Sequence, residues 1–418
     1  MRVCVMGAGI VGLATAYVLS AEGHEVTVID RALPGSSASG GNGAQLSYSY
    51  VQPLADPGIW AQLPKLLLSP SSPLKIRPQL DVHQWRWGMR FLAACNCAAS
   101  RATTLALLAL AVESRQRFDA MLAREKLAVD FSSTGKLVLF SSEKSFAAAT
   151  QQMLLQRELG CVQEAVSAER CTDIEPALES YQANINGAIY TPSECAADCQ
   201  KTCDGLLAVL TQRGVRFLLN SPISSVVVRA GAIAAVRTSQ ADVEAEQFVL
   251  AMGAASAALA RSVGVDLPIY PLRGYSITLD AREQPGAAPK VSITDSTRKV
   301  VFARIGSRLR VAGMAELGGY DTAIAHKQIA SLKQSTQTLF PDCSDFSELR
   351  PWAGLRPATP TALPMVGKHA KGPHNLLLNV GHGALGFTLA FGSAGRIARL
   401  LDKPAPRQMA AAVALRAC

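Results

Sequence analysis

Gly7, Gly9 and Gly12 stand in the run Met6-Gly7-Ala8-Gly9-Ile10-Val11-Gly12, directly behind the apolar stretch Val3-Cys4-Val5. Glycines at this spacing between a strand and a helix suit a dinucleotide. The first permits the tight turn, the second lets backbone N–H groups approach a pyrophosphate, and the third allows the helix to lie close on the sheet. The helix N-terminus adds unpaired donors and a partial positive charge. Asp30 ends the following apolar run Val26-Thr27-Val28-Ile29. An acid there accepts hydrogen bonds from the ribose hydroxyls of an ADP moiety and repels a 2′-phosphate, so NADP is the least suitable ligand.

A second glycine turn, Gly381-His382-Gly383, follows the apolar run Asn375–Val380 and opens a helix predicted over Leu385–Leu400. Its N–H donors can polarise an electron-rich ring such as a reduced flavin, and both chain ends then build one site. Cys195, Cys199 and Cys203 recur every four residues, which on a helix aligns three sulfurs along one face. No histidine or fourth cysteine stands nearby to close a tetrahedral metal site. Buried structural thiols are the simpler account, with labile iron or zinc ligation the alternative.

The elements that must hold these residues can be read from periodicity. Ile10–Leu19 is helical and stopped by Gly23. The small, polar loop Pro34–Asn42 and Gly43-Ala44-Gln45, followed by Tyr48 and Tyr50, can wrap a ligand closely or simply lie on the surface. Residues 135–140 read as a strand, 147–159 and 198–212 as helices, and 215–218 as a strand. Residues 223–228, 232–237 and 246–252 read as a β-meander returning to Gly253, in which the Ile223 backbone can meet an adenine edge. Residues 269–279, 299–305 and 308–313 supply a second sheet.

With 418 residues and 49% hydrophobic content, the chain exceeds one compact core and predicts two interleaved domains. Its charge of +9 comes without a basic run or aromatic-basic interleaving, which argues against nucleic acid and leaves an anionic membrane surface or an acidic substrate. Between Asp56 and Ala111, Trp60, Leu63, Leu66, Leu67, Leu68, Trp85, Trp87, Phe91 and Leu92 alternate with Lys65, Lys75, Arg77, Arg86 and Arg90. Such a segment lies in a lipid interface or packs in a core. The longest apolar stretch, Leu105–Val112, is too short to span a bilayer, so only peripheral contact is expected. The N-terminus enters a strand at once without a signal core, which makes the cytoplasm the expected compartment.

With these residues in view, the chain resembles the FAD-dependent D-amino acid dehydrogenase small-subunit family, within the D-amino acid oxidase and glycine oxidase group. The likeness runs nearly end to end. It is carried by Val3–Gly12, Gly23–Arg31, Tyr270-Pro271-Leu272-Arg273-Gly274-Tyr275-Ser276, Gly313–Glu316, Trp352-Ala353-Gly354-Leu355-Arg356-Pro357-Ala358-Thr359-Pro360 and Asn379–Thr388. One departure is that Thr361-Ala362 follows Thr359-Pro360, where the family usually has Asp-Gly.

The resemblance implies an α/β fold with an α+β substrate part. A discontinuous Rossmann-like FAD-binding domain (residues 1–55, 140–265 and 345–418) interleaves with a mixed-sheet substrate-binding domain (56–139 and 266–344). It implies FAD as cofactor; the cysteine spacing leaves no metal expected. The first glycine turn with Ile10 and Val11, then Asp30, Arg31, Asn42, Gly43, Ala44, Gln45, Ile223 and Gly253 would contact FAD. So would Gly381, His382, Gly383, Leu385, Gly386 and Thr388. The implied reaction is oxidation of D-amino acids to imino acids, which water converts to 2-oxo acids and ammonium. Electrons would pass to a quinone or other respiratory acceptor, with peripheral attachment at the inner face of the cell membrane.

In this frame Arg356 anchors the substrate carboxylate, since its planar fork matches two carboxylate oxygens, a structural salt bridge being the alternative. Tyr50 and Tyr275 offer a second hydrogen bond to the substrate, or are merely packed. His382, between two glycines, orients its turn rather than reacting. A D-proline or hydroxyproline dehydrogenase and a non-catalytic flavin or metal electron-transfer subunit stay open as alternatives.

Overall fold

The computed structural model describes residues 1–51, 53–60, 74–157, 160–282, 284 and 286–402. Leu63, Lys65, Leu66, Leu67 and Leu68 of the cation-flanked segment, and residues 403–418, lie outside the described residues.

Apolar runs buried on both faces make the first sheet, as parallel strands require. Its six strands run in the order Met365–Lys368, Leu376–Val380, Gln247–Leu250, Arg2–Met6, Glu25–Ile29, Arg216–Leu218. All neighbours pair in parallel except Met365–Lys368, which is antiparallel at the edge. The chain leaves Arg2–Met6 on one side through the helix Ile10–Ala21 and reaches its other side with Gln247–Leu250. Strand order therefore reverses there and opens a crevice at the carboxyl ends, where the Gly7 and Gly381 turns both lie. The helices Ile10–Ala21, Cys97–Glu125, Cys199–Gln212 and Gly386–Asp402 share one core on this sheet. The antiparallel strands Ile223–Arg229, Ala232–Thr238 and Asp242–Val243 cover the opposite face.

The second sheet has nine strands. Eight follow the order Arg350–Ala358, Tyr270–Asp280, Arg308–Leu317, Val300–Ile305, Ser292–Asp295, Lys136–Phe140, Gly187–Thr191, Glu164–Val166, and Leu74–Ile76 also pairs with Arg308–Leu317. Residues alternate between its faces. Ile277, Leu279, Phe302, Leu309 and Val311 face a core with Leu332 and Leu339 of the helix His326–Leu339. Gly274, Ser276, Arg310 and Arg356 occupy the other face, as the register Leu272↔Arg356, Ser276↔Ala312 and Thr278↔Arg310 requires.

Several expectations change. Gln247–Leu250 leaves the meander and pairs beside Arg2–Met6, since Phe248, Val249 and Leu250 are buried throughout and suit an interior parallel strand. Cys195 is not helical. It lies in the short strand Cys195–Ala196 against Gln45–Leu46, and the helix starts only at Cys199, where the Asp198 carboxylate accepts the Gln200 and Lys201 amides. Glu164–Val166, Gly187–Thr191 and Arg350–Ala358 belong to the nine-stranded sheet rather than to the first unit's segments. The helix Cys97–Glu125 is long and apolar enough by length and composition to cross a membrane, unlike the short stretch expected. Its Leu107, Ala111, Phe118 and Met121 are nevertheless buried against Tyr17, Phe387 and Phe391.

Candidate active site

The first glycine turn is shaped by contacts that no side chain permits. Gly7 has φ +115°, and a Cβ there would overlap the Ala251 carbonyl, while one on Gly12 would overlap the Gly7 carbonyl oxygen. The helix that follows has no side-chain cap from Gly9 and no acid in its first turn. Ser39 Oγ accepts the Ile10 N–H at 3.0 Å, and the Val11 and Gly12 amides find no acceptor among the described residues. Free donors at a helix N-terminus, approached without a Cβ, fit a pyrophosphate.

Asp30 fixes this turn. Its Oδ2 accepts the Ala8 N–H at 2.6 Å and its Oδ1 accepts the Ala32 N–H at 2.9 Å, leaving further lone pairs for a ribose. Arg31 is exposed. The Ser221 amide donates to the Asp30 carbonyl, which brings the start of the Ile223–Arg229 strand beside it. Gly253, at φ +57°, follows the carboxyl end of Gln247–Leu250.

The loop 40–45 is clamped to the second sheet. The Arg310 guanidinium, which burial pushes below its ordinary pKa, donates to the carbonyls of Gly40 at 3.1 Å and Asn42 at 2.8 Å. Ser276 Oγ donates to the Gly41 carbonyl, and Gly41 lies so close to the Trp352 ring that a Cβ would overlap it. Gly43 sits over Val301. Ala44 holds φ +58° while its amide donates to Asn42 Oδ1 at 2.8 Å. Gln45 Nε2 donates to the carbonyls of Ile293 and Phe302, so its amide nitrogen serves the sheet and only its oxygen is left for a ligand.

At the second turn Gly381 and Gly383 both have positive φ, +82° and +54°. His382 is buried, with Nε2 3.0 Å from Ser393 Oγ, and burial holds the imidazole down to about 4. The neutral ring is thereby tied to the following helix. Leu385 is half-buried against the first core, and Gly386 begins the helix. Thr388 Oγ1 accepts the Ser47 amide at 3.2 Å, joining the opening and closing segments of the chain.

Arg356 lies on the sheet face toward this crevice. Its guanidinium covers Gly274, where a Cβ would come within 2.5 Å of Cζ, and Nη1 donates to the Met314 carbonyl at 2.7 Å. Burial lowers its pKa to about 10, so it stays cationic at neutral pH, and no carboxylate lies in ion-pair reach among the described residues. Two residues on, Ala358 forms a β-bridge with His382, which brings the Arg356 strand to the second glycine turn.

Tyr275 does not join it. One register step places Tyr275 on the opposite face, where its hydroxyl donates to Glu316 Oε2 at 2.9 Å beside Arg273. Burial and that bond push the phenol up to about 12. Tyr50 packs on Val138, Phe140 and Ile189 with the Lys136 ammonium 4.4 Å from its ring centroid, and burial raises its phenol.

The sequence reading missed Ser39, Arg310, Lys136 and Glu194. Lys136 is buried, donates to Ser47 Oγ at 2.9 Å and is lowered by burial to about 8. Glu194 accepts the Tyr48 and Ser49 amides, and burial raises its carboxyl. The available signal was a charge inside an apolar strand, in Lys136-Leu137-Val138 and Leu309-Arg310-Val311. The cysteines are packed thiols: burial raises Cys195, and a hydrogen bond with Cys199 together with burial raises Cys203. The cluster whose ligand atoms lie close enough together to hold a metal among the described residues, Glu22, His24 and Asp402, contains no cysteine.

The family described as FAD dependent oxidoreductase (DAO) matches residues 2–400. D-amino acid dehydrogenase 2 of Ralstonia nicotianae is 46% identical, covering 99% of this chain and 100% of that protein. D-amino acid dehydrogenase 2 of Pseudomonas aeruginosa is 43% identical over 97% of this chain and 96% of its own length. Among solved structures, glycine oxidase from Bacillus cereus superposes with a TM-score of 0.73 at 19% identity, covering 96% of this chain and 94% of that one. L-proline dehydrogenase from P. horikoshii does so with a TM-score of 0.75 at 16% identity, covering 96% and 93%.

Proposed function

The chain belongs to the FAD dependent oxidoreductase family, and from that premise we propose that it oxidatively deaminates D-amino acids. The observation that carries this reading is the Arg356 guanidinium, cationic, half-buried and without a carboxylate partner among the described residues, on the sheet face toward the two glycine turns.

The Gly7 turn, the Val11 and Gly12 amides, Asp30 and the Gly381 turn would hold FAD. Bound FAD supplies a two-electron acceptor for the hydride leaving the substrate Cα. Arg356 does the positioning. Its fork binds both carboxylate oxygens, Met314 keeps one N–H engaged so that the plane is fixed, and Gly274 lets that plane lie flat on the strand. The low-dielectric surroundings that depress its pKa also strengthen the ion pair. Tyr50 packs on Lys136–Phe140, five strands from Arg350–Ala358 in the sheet order, and is given no part in holding the substrate. Loss of hydride and one amine proton from the amino acid gives the imino acid, and water then yields the 2-oxo acid and ammonium.

Electrons pass on to a membrane quinone, with the protein held peripherally at the inner membrane face. What supports this is an apolar, cation-flanked helix surface turned to solvent at Val82–Ala94.

Anaerobic addition of a panel of D- and L-amino acids to the purified holoprotein tests the activity. Bleaching of the flavin absorbance with D-alanine or other D-amino acids, and not with their L-enantiomers, is expected. Bleaching with D-proline or hydroxyproline alone would instead favour an imino acid dehydrogenase. A flavin that stays oxidised throughout overturns the proposal.

A further inference from the structure

The helix Val82–Ala94 shows water the wrong stripe. Gln84, Trp87 and Phe91 turn inward, whereas Val82, Trp85 and Met89, at i, i+3 and i+7, are 62%, 58% and 65% exposed. Leu80, just before the helix, is fully exposed. Arg86 and Arg90 lie exposed in the same stripe. A helix in water keeps its polar residues outward, so an outward apolar stripe laced with cations matches a surface that is partly oil and partly anion. The Trp85 Nε1–H is already bonded to the Gln79 carbonyl at 3.1 Å, so the ring can enter an apolar layer without stranding its donor.

Beside this stripe lies a small recess of about 50 Å³, lined by Arg86, Arg90, Arg261, His83, Trp87 and Tyr320 among others. None of its three guanidiniums forms an ion pair among the described residues. Two carboxylates also line it. Asp81 is engaged, accepting the Tyr270 hydroxyl at 3.0 Å and the His83 amide at 2.9 Å, and Asp266 is exposed. Positive charge therefore exceeds negative, in a concave site walled by an indole.

We infer that this recess takes the phosphate of an anionic phospholipid while Leu80, Val82, Trp85 and Met89 lie in the acyl boundary. A soluble phosphate ester would satisfy the guanidiniums equally. The adjoining apolar stripe commits the site to a lipid, because only a lipid carries both chemistries in one molecule. This inference rests on the peripheral membrane contact proposed above and adds a defined headgroup site to it.

The test is co-sedimentation of the holoprotein with vesicles of phosphatidylglycerol in phosphatidylcholine and of phosphatidylcholine alone, with glycerol 3-phosphate as a soluble competitor. Binding that depends on phosphatidylglycerol is expected. The double variant Arg86→Gln/Arg90→Gln should weaken it roughly twenty- to thirty-fold, at about five-fold for each cation near the surface. Trp85→Gln/Met89→Gln should lose binding to the phosphatidylglycerol vesicles. Both variants should keep wild-type flavin bleaching by a soluble D-amino acid, since these residues lie outside the active site. Equal binding to the two vesicles, or an arginine variant that keeps its phosphatidylglycerol preference, overturns the headgroup site and leaves the membrane contact standing. Failure to bind any vesicle overturns both. Glycerol 3-phosphate binding to the recess without vesicle binding makes it a soluble-ester site and overturns the lipid assignment.

Discussion

Arg273 and Arg356 sit in adjacent strands, one register step apart, and do opposite work. Arg273 donates through Nε and Nη2 to Glu316 Oε2, at 3.1 and 2.8 Å, and through Nη1 to Asp321 Oδ2 at 2.6 Å. Gln328 donates to the other Glu316 oxygen at 2.6 Å. Burial opposes the Glu316 charge, but Tyr275, Gln328, Arg77 and Arg273 together bring the carboxyl below its ordinary pKa. Arg356 has one backbone carbonyl and no carboxylate. A buried guanidinium whose anions are built in is scaffold, and a half-buried one whose anion is missing is a receptor.

Exchanging each arginine for leucine probes the contrast most strongly. Arg273→Leu leaves Glu316 buried without its main counter-charge, and chemical denaturation should show a loss of ~3–5 kcal/mol. Arg356→Leu should leave the denaturation midpoint unchanged or raised, because it removes a half-buried charge that has no carboxylate partner among the described residues. It should lower kcat/KM for a D-amino acid by roughly two to three orders of magnitude. Equal loss of stability in the two variants would erase the distinction.

His382 extends the comparison to a base held neutral by burial. Its folded pKa of about 4 lies below the ordinary 6.5, so on acidification the unfolded chain takes up the proton first. Its contribution to stability is therefore complete above pH 6.5 and is lost as pH falls from 6.5 to 4, by ~3 kcal/mol. A pH series of unfolding free energies for the wild type and His382→Asn should differ in slope only inside that window.

The smallest effect lies at the departure from the family pattern. Ala362 holds φ +69°, a conformation that costs a side chain strain and glycine none. Ala362→Gly should stabilise by ~0.5–1 kcal/mol after the added freedom of the unfolded chain is counted, measurable as a small rise in Tm.

What was legible in the sequence is local. The Gly7 turn, the helix behind it and Asp30 lie within one βαβ unit, so spacing alone describes their geometry. Tyr275 was not legible as a back-face residue. Which way it points depends on pairing with strands over 30 and over 70 residues away, with a register irregularity between Arg273 and Tyr275. Lys136 and Glu194 meet the 47–50 segment only through long-range contacts. The cysteine periodicity misled because Asp198 starts the helix between Cys195 and Cys199, and a capping aspartate outranks a repeat of thiols.

The strand Arg2–Met6 has its two neighbours at Glu25–Ile29 and Gln247–Leu250, and the next one out is Leu376–Val380. During synthesis its neighbour Glu25–Ile29 follows at once, but Gln247–Leu250 emerges some 240 residues later and Leu376–Val380, which pairs with that strand, some 370 residues later, which at 5–20 residues per second is roughly 12 to 75 s. For that interval Val3, Cys4 and Val5 have only Glu25–Ile29 beside them and the Gly381 turn has not yet formed, so capture of a cofactor held by both turns should come late, after a half-built sheet has exposed its apolar edge.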